Sequence, residues 1–353
     1  MRKPWWLVVA GVSALGVGWI VQSVGVVPGK QPDGSVWVPT HQLLTPAGKV
    51  FELQTTRPKE LAMGRDGRIA ALCTGRVIVF SSSGKVEGDV ALNTGPMGVA
   101  WSADGRSLYA SGGDGKVARL AVIEGKWTRT DDWALDVPVS FASTGRTSGI
   151  PQATGIAVSG GRVFVALGIR NAVVEVEVGT GEVRRAIATG VAPYHLSLSP
   201  DGRTLAVSNR GGAVAEPGEP SAGSAGSKVR VDPETDAANG GSITFVDTAA
   251  WTSRVVPVGR QPAGTAFSGD GKTLFVANSD SDSVSAVPLD VGKRVVTTHL
   301  GFRPPVVPSH DRADAGYPSD EPVRPIGYPA EPVFRAEARF APVHPRSKQD
   351  SFG

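Results

Sequence analysis

The chain has 353 residues, a formal net charge of +3 at pH 7, 45 glycines, 27 prolines and one cysteine. The small charge, with no Lys/Arg cluster interleaved with aromatic residues, argues against a nucleic-acid partner. A single cysteine excludes internal disulfides. The chain has no Cys-x-x-Cys-His, His-Glu-x-x-His or Gly-x-Ser-x-Gly motif. We therefore expect no haem, no dedicated zinc site, no α/β-hydrolase nucleophile and no other cofactor.

The first 27 residues have the pattern of an export signal. Arg2 and Lys3 precede an apolar run from Trp5 to Val27. A basic start followed by an apolar stretch directs export, and this run approaches the ~20 residues that span a bilayer. No Ala-x-Ala cleavage site follows it, which favours an uncleaved membrane anchor over a removed signal peptide. The rest of the chain is then expected on the periplasmic or extracytoplasmic face of a bacterial inner membrane.

A short phrase repeats along the chain: an apolar strand, a turn resembling Ser-Pro-Asp-Gly, and a second apolar strand. Asp-Gly between alternating apolar runs is a strong hairpin signal, because glycine takes the positive φ that tight turns need. The turn glycines lie at positions 67, 105, 161, 202 and 271. Two of the four gaps are near 40 residues, and the other two approach this length once inserts at 137–150 and 213–240 are removed.

This period predicts an all-β fold of the β-propeller class, since a blade of four short strands occupies roughly 40–45 residues. A generic β-sandwich is the alternative. We assign residues 36–300 to the propeller, with a flexible insert at 213–240. The segment from Val36 to Leu53 is expected to add strands, including one that closes the ring against the last blade.

The ends of several second strands resemble a known family. Leu274–Asn278 and Leu205–Asn209 are similar to the YVTN repeat of the YncE-like seven-bladed propellers, which are related in pattern to WD40 propellers. The sequence around Ser208, the insert, and the segment Gly241–Asp247 resemble exported bacterial proteins in which such a propeller precedes a phosphoesterase domain of the alkaline phosphatase superfamily. The resemblance implies seven blades and association with a phosphoesterase.

The sequence departs from that family in two respects. It has five clear repeat units, and the repeats stop after His299. Residues 303–353 contain ten prolines and no alternating apolar run, a composition that predicts a disordered tail over 301–353. We expect this tail to stand in place of the missing blades and of the phosphoesterase domain, through truncation or a shifted reading frame. A genuine Pro-rich tail on a complete, divergent propeller is the alternative.

Aligning the repeats on their inner strands gives one column of candidate site residues. The column contains Glu60, Gly98, Gly155, His195 and Gly264. Propellers usually bind ligands where their inner strands converge, so Glu60 and His195, with neighbours Lys59 and Tyr194, are predicted to line a polar pocket at the channel mouth. The same residues could instead be ordinary hydrogen-bonded loop residues.

Two functions remain open from the sequence. The first is a non-catalytic exported propeller that binds a partner protein or small ligand, as part of a phosphoesterase system. The second is a hydrolase of the lactonase type that uses channel residues. The column supplies only one Glu and one His, which favours the non-enzyme.

Overall fold

The computed structural model describes residues 29–38, 43–45, 53, 56–135, 137 and 149–300. The chain forms two compact units, residues Met1–Thr55 and Thr56–Gly353. The described strands of the first unit are β1 (Gly29–Lys30), β2 (Val36–Trp37) and β3 (Leu43–Leu44). They pair in the order β1-β2-β3. β2 and β3 lie in the segment Val36–Leu53 that was expected to add strands, and they pair with each other in this small sheet.

The described residues of the second unit form five four-stranded antiparallel sheets, which we call blades 1 to 5. Blade 1 consists of β4–β7, at Pro58–Met63, Ile69–Cys73, Arg76–Phe80 and Val86–Ala91. Blade 2 consists of β8–β11, at Thr94–Trp101, Ser107–Gly112, Lys116–Ile123 and Lys126–Ala134. Blade 3 consists of β12–β15, at Ala153–Ser159, Arg162–Leu167, Ala172–Glu177 and Val183–Ala188.

The last two blades follow the same plan with one insertion. Blade 4 consists of β16, β17, β20 and β21, at Pro193–Leu198, Thr204–Asn209, Gly241–Asp247 and Ser253–Val258. Its insertion forms a separate hairpin of β18 and β19, at Ser221–Ser224 and Ser227–Arg230. Blade 5 consists of β22–β25, at Pro262–Phe267, Thr273–Asn278, Ser283–Pro288 and Val296–His299. The segment predicted to be a flexible insert therefore contains paired strands.

The repeated turn phrase joins the first two strands of each blade, as predicted. In blade 2, Asp104 Oδ1 accepts hydrogen bonds from the Ser102 hydroxyl at 2.6 Å and from the backbone N–H two residues on. The Ser102 hydroxyl in turn accepts from the Ser107 N–H at 2.9 Å, and Gly105 has a φ of +69°. The same arrangement recurs at Ser199, Asp201 and Gly202 and at Ser268, Asp270 and Gly271. The phrase recurs because its side chains close the turn.

Successive blades pack face to face through four apolar cores. Between blades 3 and 4, for example, Phe164 and Ala157 of blade 3 pack with Leu196 and Leu205 of blade 4. In these four contacts, the small residue of an inner strand faces the following blade and the large residues face the preceding one. This alternation, visible in the sequence, places β4, β8, β12, β16 and β22 side by side around a central channel.

The described part of the chain thus forms five propeller blades in series, where seven were expected. It contains no helix, and in particular none that is long and apolar enough to cross a bilayer. The predicted anchor at 1–27 and the predicted disordered tail at 301–353 lie outside the described residues.

Candidate functional site

Each inner strand is irregular near its beginning, where the channel mouth lies. The pairing register with the second strand shifts once in every blade, just before or at the column of candidate residues. The shifts lie between Pro58 and Glu60, Thr94 and Val99, Ala153 and Ile156, Pro193 and Leu196, and Pro262 and Thr265. Such bulges redirect side chains without ending a strand, and here they turn the column residues toward the inner strand of the following blade.

Glu60 links blade 1 to blade 2 with one carboxylate oxygen. Its Oε2 accepts hydrogen bonds from the backbone N–H of Gly98 and from that of Val99, the latter at 3.0 Å. Its Oε1 lies 3.9 Å from Nε2 of His195 on blade 4. The side chains of Glu60 and His195 are only 12% and 19% exposed. The structure therefore brings these two predicted residues together inside the channel.

The other side of the His195 ring is held by blade 5. Nδ1 lies 3.0 Å from the Thr265 hydroxyl and accepts from the Thr265 backbone N–H at 3.3 Å. The same hydroxyl contacts Ser197 Oγ at 2.8 Å. Because Nδ1 accepts from an amide, the proton of the neutral ring belongs on Nε2, which faces Glu60. Glu60, His195 and Thr265 thus connect blades 1, 4 and 5.

Burial favours the neutral forms of both groups. Desolvation raises the pKa of Glu60 to about 7, although the two backbone N–H donors oppose the rise. Desolvation also lowers the pKa of His195. A neutral imidazole and a partly protonated carboxyl at neutral pH follow from this. The 3.9 Å separation is consistent with a pair that is not a fully charged salt bridge.

Lys59 and Tyr194, the neighbours of Glu60 and His195 in sequence, have different surroundings from that pair. Lys59 Nζ donates to Thr94 Oγ1 at 2.8 Å and to the Gly95 carbonyl at 2.6 Å, and so ties blade 1 to blade 2. Burial, and secondarily the charge of Arg57, lowers the pKa of Lys59. Tyr194 instead lines a cavity at the mouth of the channel. The structure does not gather the four predicted residues into one pocket.

The mouth cavity has a volume of about 370 Å³ and lies between the first residues of the inner strands of blades 2 to 4, Gln261 just before blade 5, and the β18–β19 hairpin. Glu60 and His195 do not line it. The hairpin contributes Ala222–Ala225 and Val229 to its wall. Val229 packs with Val191 and Val231 in a small core beneath the hairpin, and Asn171 Nδ2 donates to Ser227 Oγ at 2.8 Å. The insertion thus packs against the blades and forms a roof over this cavity.

Arg210 supplies the positive charge of the mouth cavity. Its guanidinium carbon lies 4.4 Å from the centre of the Tyr194 ring, and Nη2 donates to Gln261 Oε1 at 2.5 Å. Its Nε is buried without a hydrogen-bond partner, and within the described ranges no carboxylate forms an ion pair with it. An aromatic face and an amide position this cation but leave its charge uncompensated. Asp236, the one acidic lining residue, is exposed.

Three strained backbone positions lie at the edge of the mouth cavity. Gln152, Ala192 and Gln261 have φ values of +55°, +56° and +48°, and all three line the cavity. Each immediately precedes an inner strand. Non-glycine residues in this region carry roughly 1–2 kcal/mol of strain each, and such strain clusters at functional sites. The strained backbone presents the Gln152 and Gln261 amides to the cavity.

Sequence reasoning missed Arg210, although a signal for it was available. The position just after the second strand of each blade forms a column of its own. That column contains Thr74, Gly113, Gly168, Arg210 and Ser279. Arg210 is its one charged member, as Glu60 and His195 are the titratable members of the inner-strand column. Among the described residues, no group of three or more His, Cys, Asp or Glu side chains is arranged to hold a metal ion.

Comparison with known proteins supports the fold and leaves the function open. No family model and no curated protein matches the sequence. Hydrazine synthase of Kuenenia stuttgartiensis superposes with a TM-score of 0.52 at 18% identity, over 72% of this chain and 70% of that one. A putative 6-phosphogluconolactonase from Bacteroides uniformis has a TM-score of 0.49 at 14% identity, over 77% and 79%. The Cps50 (Swd1) β-propeller domain of Myceliophteria thermophila has a TM-score of 0.47 at 14% identity, over 68% and 73%.

Proposed function

We propose that the protein is a non-catalytic propeller that binds a small anion, a carboxylate or a phosphate compound, in the mouth cavity. The uncompensated Arg210 carries this proposal. Its guanidinium lies on Tyr194 and is fixed through Nη2 by Gln261, while no hydrogen bond within the described residues engages Nη1, which is left to donate to an anion. Guanidinium groups bind carboxylate and phosphate oxygens through charge-assisted, often bidentate, hydrogen bonds. A cavity of about 370 Å³ fits a small molecule.

The position of the acid–base pair supports binding over catalysis. Glu60 and His195 hold each other and the neighbouring inner strands, and they do not line the cavity that contains Arg210. A catalytic acid or base must reach the substrate within hydrogen-bond distance or through one water. We therefore infer that Glu60 and His195 stabilise the packing of the inner strands around the channel and that Arg210 binds the ligand.

The wider setting of this function also remains a proposal. The YVTN-like strand ends support membership of the YncE-like propellers, and the basic start with its apolar run supports export to the periplasmic face. The likeness around Ser208 and Gly241–Asp247 supports a link to a phosphoesterase system. In that setting the ligand could also be an acidic side chain of a partner protein.

Thermal unfolding of the full chain tests the anion proposal. Malonate, citrate and inorganic phosphate are titrated at constant ionic strength. A ligand present at 100 times its Kd stabilises the folded state by about 2.7 kcal/mol, so at least one compound raises Tm in the wild type. Arg210→Met loses this shift. The matched control is Arg203→Met, because Arg203 is exposed at the other end of β17. Equal shifts in Arg210→Met, or no shift with any anion, would contradict the proposal.

One observation favours a second function, lactone hydrolysis. A carboxyl with a pKa of about 7 next to a neutral imidazole is suited to general-base chemistry. Hydrolysis of glucono-δ-lactone, followed at pH 6 to 8 in the wild type and in His195→Ala, tests it. Turnover that disappears in His195→Ala supports hydrolysis, and no turnover above the uncatalysed rate rules it out for this lactone.

A further inference from the structure

The mouth cavity contains a second uncompensated charge besides that of Arg210. Asp236 lines the cavity and is exposed. Among the described residues its carboxylate forms no ion pair and no hydrogen bond, and in particular none with Arg210. A cation and an anion that line one cavity without neutralising each other leave both charges available to a ligand.

The loop that carries Asp236 is closed by its own hydrogen bonds. The Asp232 carboxylate accepts the backbone N–H groups of Glu234 and Thr235 at 2.9 and 3.2 Å. The Asp236 N–H donates to the Asp232 carbonyl at 2.9 Å. Asp236 has a φ of +54°, a conformation that aspartate and asparagine tolerate better than most other residues. The loop therefore presents this carboxylate at the edge of the cavity.

An apolar wall connects the surroundings of the two charges. Val231 and Ala238 pair across the base of the Asp236 loop, and both are buried and line the cavity. They belong to the small core beneath the hairpin, which also contains Val191. The Val191 carbonyl accepts the N–H of the residue that follows Arg210, at 3.0 Å. A hydrocarbon segment between two charged ends would pack on this wall.

We propose that the ligand of the mouth cavity is a zwitterion, an aliphatic amine that also carries a carboxylate or phosphate group. This inference rests on the proposed function, because the anionic end binds Arg210. The ammonium end binds Asp236, and the methylene groups between the two ends contact Val231 and Ala238. The pair of charges also provides selectivity, because Asp236 repels a second negative group on the ligand.

Thermal unfolding of the full chain tests the zwitterion, in a non-ionic detergent because residues 1–27 are apolar. The probes are two sets matched in length: butyrate, 4-aminobutyrate and succinate, and hexanoate, 6-aminohexanoate and adipate. All are titrated at pH 7 and constant ionic strength, and the rise in Tm gives an apparent Kd. In at least one set the amino acid binds about 5-fold more tightly than the plain acid, the factor that an exposed contact between opposite unit charges supplies. The dicarboxylate of that set gains no such factor.

Asp236→Asn removes the charge and keeps the conformation of the loop. In this variant the amino acid binds no more tightly than the plain acid, and the dicarboxylate binds more tightly than it does to the wild type. The matched control is Glu234→Gln, since Glu234 is an exposed residue of the same loop that does not line the cavity. It keeps the 5-fold preference. Arg210→Met loses the binding of all the probes.

The outcomes distinguish the zwitterion from the anion site on which it rests. Equal binding of amino acid and plain acid in both sets would overturn the zwitterion and leave the anion site standing. A preference that persists in Asp236→Asn, or that Glu234→Gln loses as well, would also overturn it. No rise in Tm with any probe, or equal rises in Arg210→Met, would instead contradict the anion site itself.

Discussion

Nε2 of His195 lies 3.9 Å from Oε1 of Glu60, although the two residues belong to blades 4 and 1. The contact crosses the channel, and each partner is also bonded to the blade that follows its own. Polar groups therefore connect the inner strands of blades 1, 2, 4 and 5 at the centre of the channel. The pH dependence of stability follows from this arrangement.

Glu60→Gln is expected to change how stability depends on pH. The folded-state pKa of Glu60 is raised from 4.5 to about 7 by burial. The raised pKa contributes stability that is complete below pH 4.5 and is lost as pH rises through about 7. Relative to Glu60→Gln, the wild type thus loses about 3 kcal/mol of unfolding free energy between these limits.

Urea unfolding from pH 4.5 to 8 measures this difference. His195, whose lowered pKa makes the fold less stable as pH falls below 6.5, is present in both proteins and largely cancels. Glu87→Gln, at an exposed glutamate of β7, is the control. A difference between wild type and Glu60→Gln that is the same at every pH would contradict the burial of an acidic Glu60.

Thr265→Val is expected to destabilise the fold by about 1 kcal/mol, because it removes one hydrogen-bond partner from each of the half-buried Ser197 and His195. The Thr265 hydroxyl contacts both His195 Nδ1 and Ser197 Oγ. Chemical unfolding measures the loss. Thr298→Val, in the outer strand of the same blade, is the control and should cost much less. Equal costs for the two variants would mean that the hydroxyl does not join blades 4 and 5.

Gly155→Ala and Gly264→Ala occupy the same column and should have opposite effects. The new Cβ at 155 would meet the Tyr194 carbonyl at 2.6 Å, and forced contacts of this kind cost about 1–3 kcal/mol. The Cβ at 264 meets nothing, so the loss of unfolded-state entropy stabilises by about 0.4–1 kcal/mol. Thermal unfolding of both variants measures the effects. A destabilising Gly264→Ala would show that another element covers the face of blade 5 that points away from blade 4.

Arg185→Met is expected to destabilise by about 3 kcal/mol, since it strips the nearest cation from a buried carboxylate. The Glu175 side chain is 3% exposed, and Arg185 Nη2 lies 2.8 Å from it. The double variant Glu175→Gln/Arg185→Met should recover part of the loss. Arg184→Met, which breaks a surface ion pair with Glu177, should cost at most about 1 kcal/mol. Similar losses for Arg184→Met and Arg185→Met in urea unfolding would contradict this account.

The sequence predicted the hairpins and the blade class because their causes are local. Ser102 and Asp104 close their turn with their own side chains, and the large/small alternation of an inner strand is visible in three residues. The column placed Glu60 and His195 at equivalent positions, and the structure brings them together. Lys59 lies apart from the Glu60–His195 pair and contacts Thr94 and Gly95, because neighbours in sequence point to opposite sides of a strand.

Arg210 is marked by its repeat column, but its role could not be assigned from the sequence. Its partners Tyr194 and Gln261 lie on different blades, and their meeting depends on the curvature of the blade series and on the roof formed by the insertion. The repeat count gave five units, and the described residues form five blades; the expectation of seven came from the family resemblance alone.

The location of bound bromide in a crystal of the full chain tests the anion site most directly. Bromide is located by its anomalous scattering and requires no knowledge of the natural ligand. The account predicts a bromide ion in hydrogen-bond contact with the Arg210 guanidinium, beside Tyr194 and Gln261, and no ion there in Arg210→Met. Bromide bound only at exposed arginines such as Arg203, with none at Arg210, would contradict it.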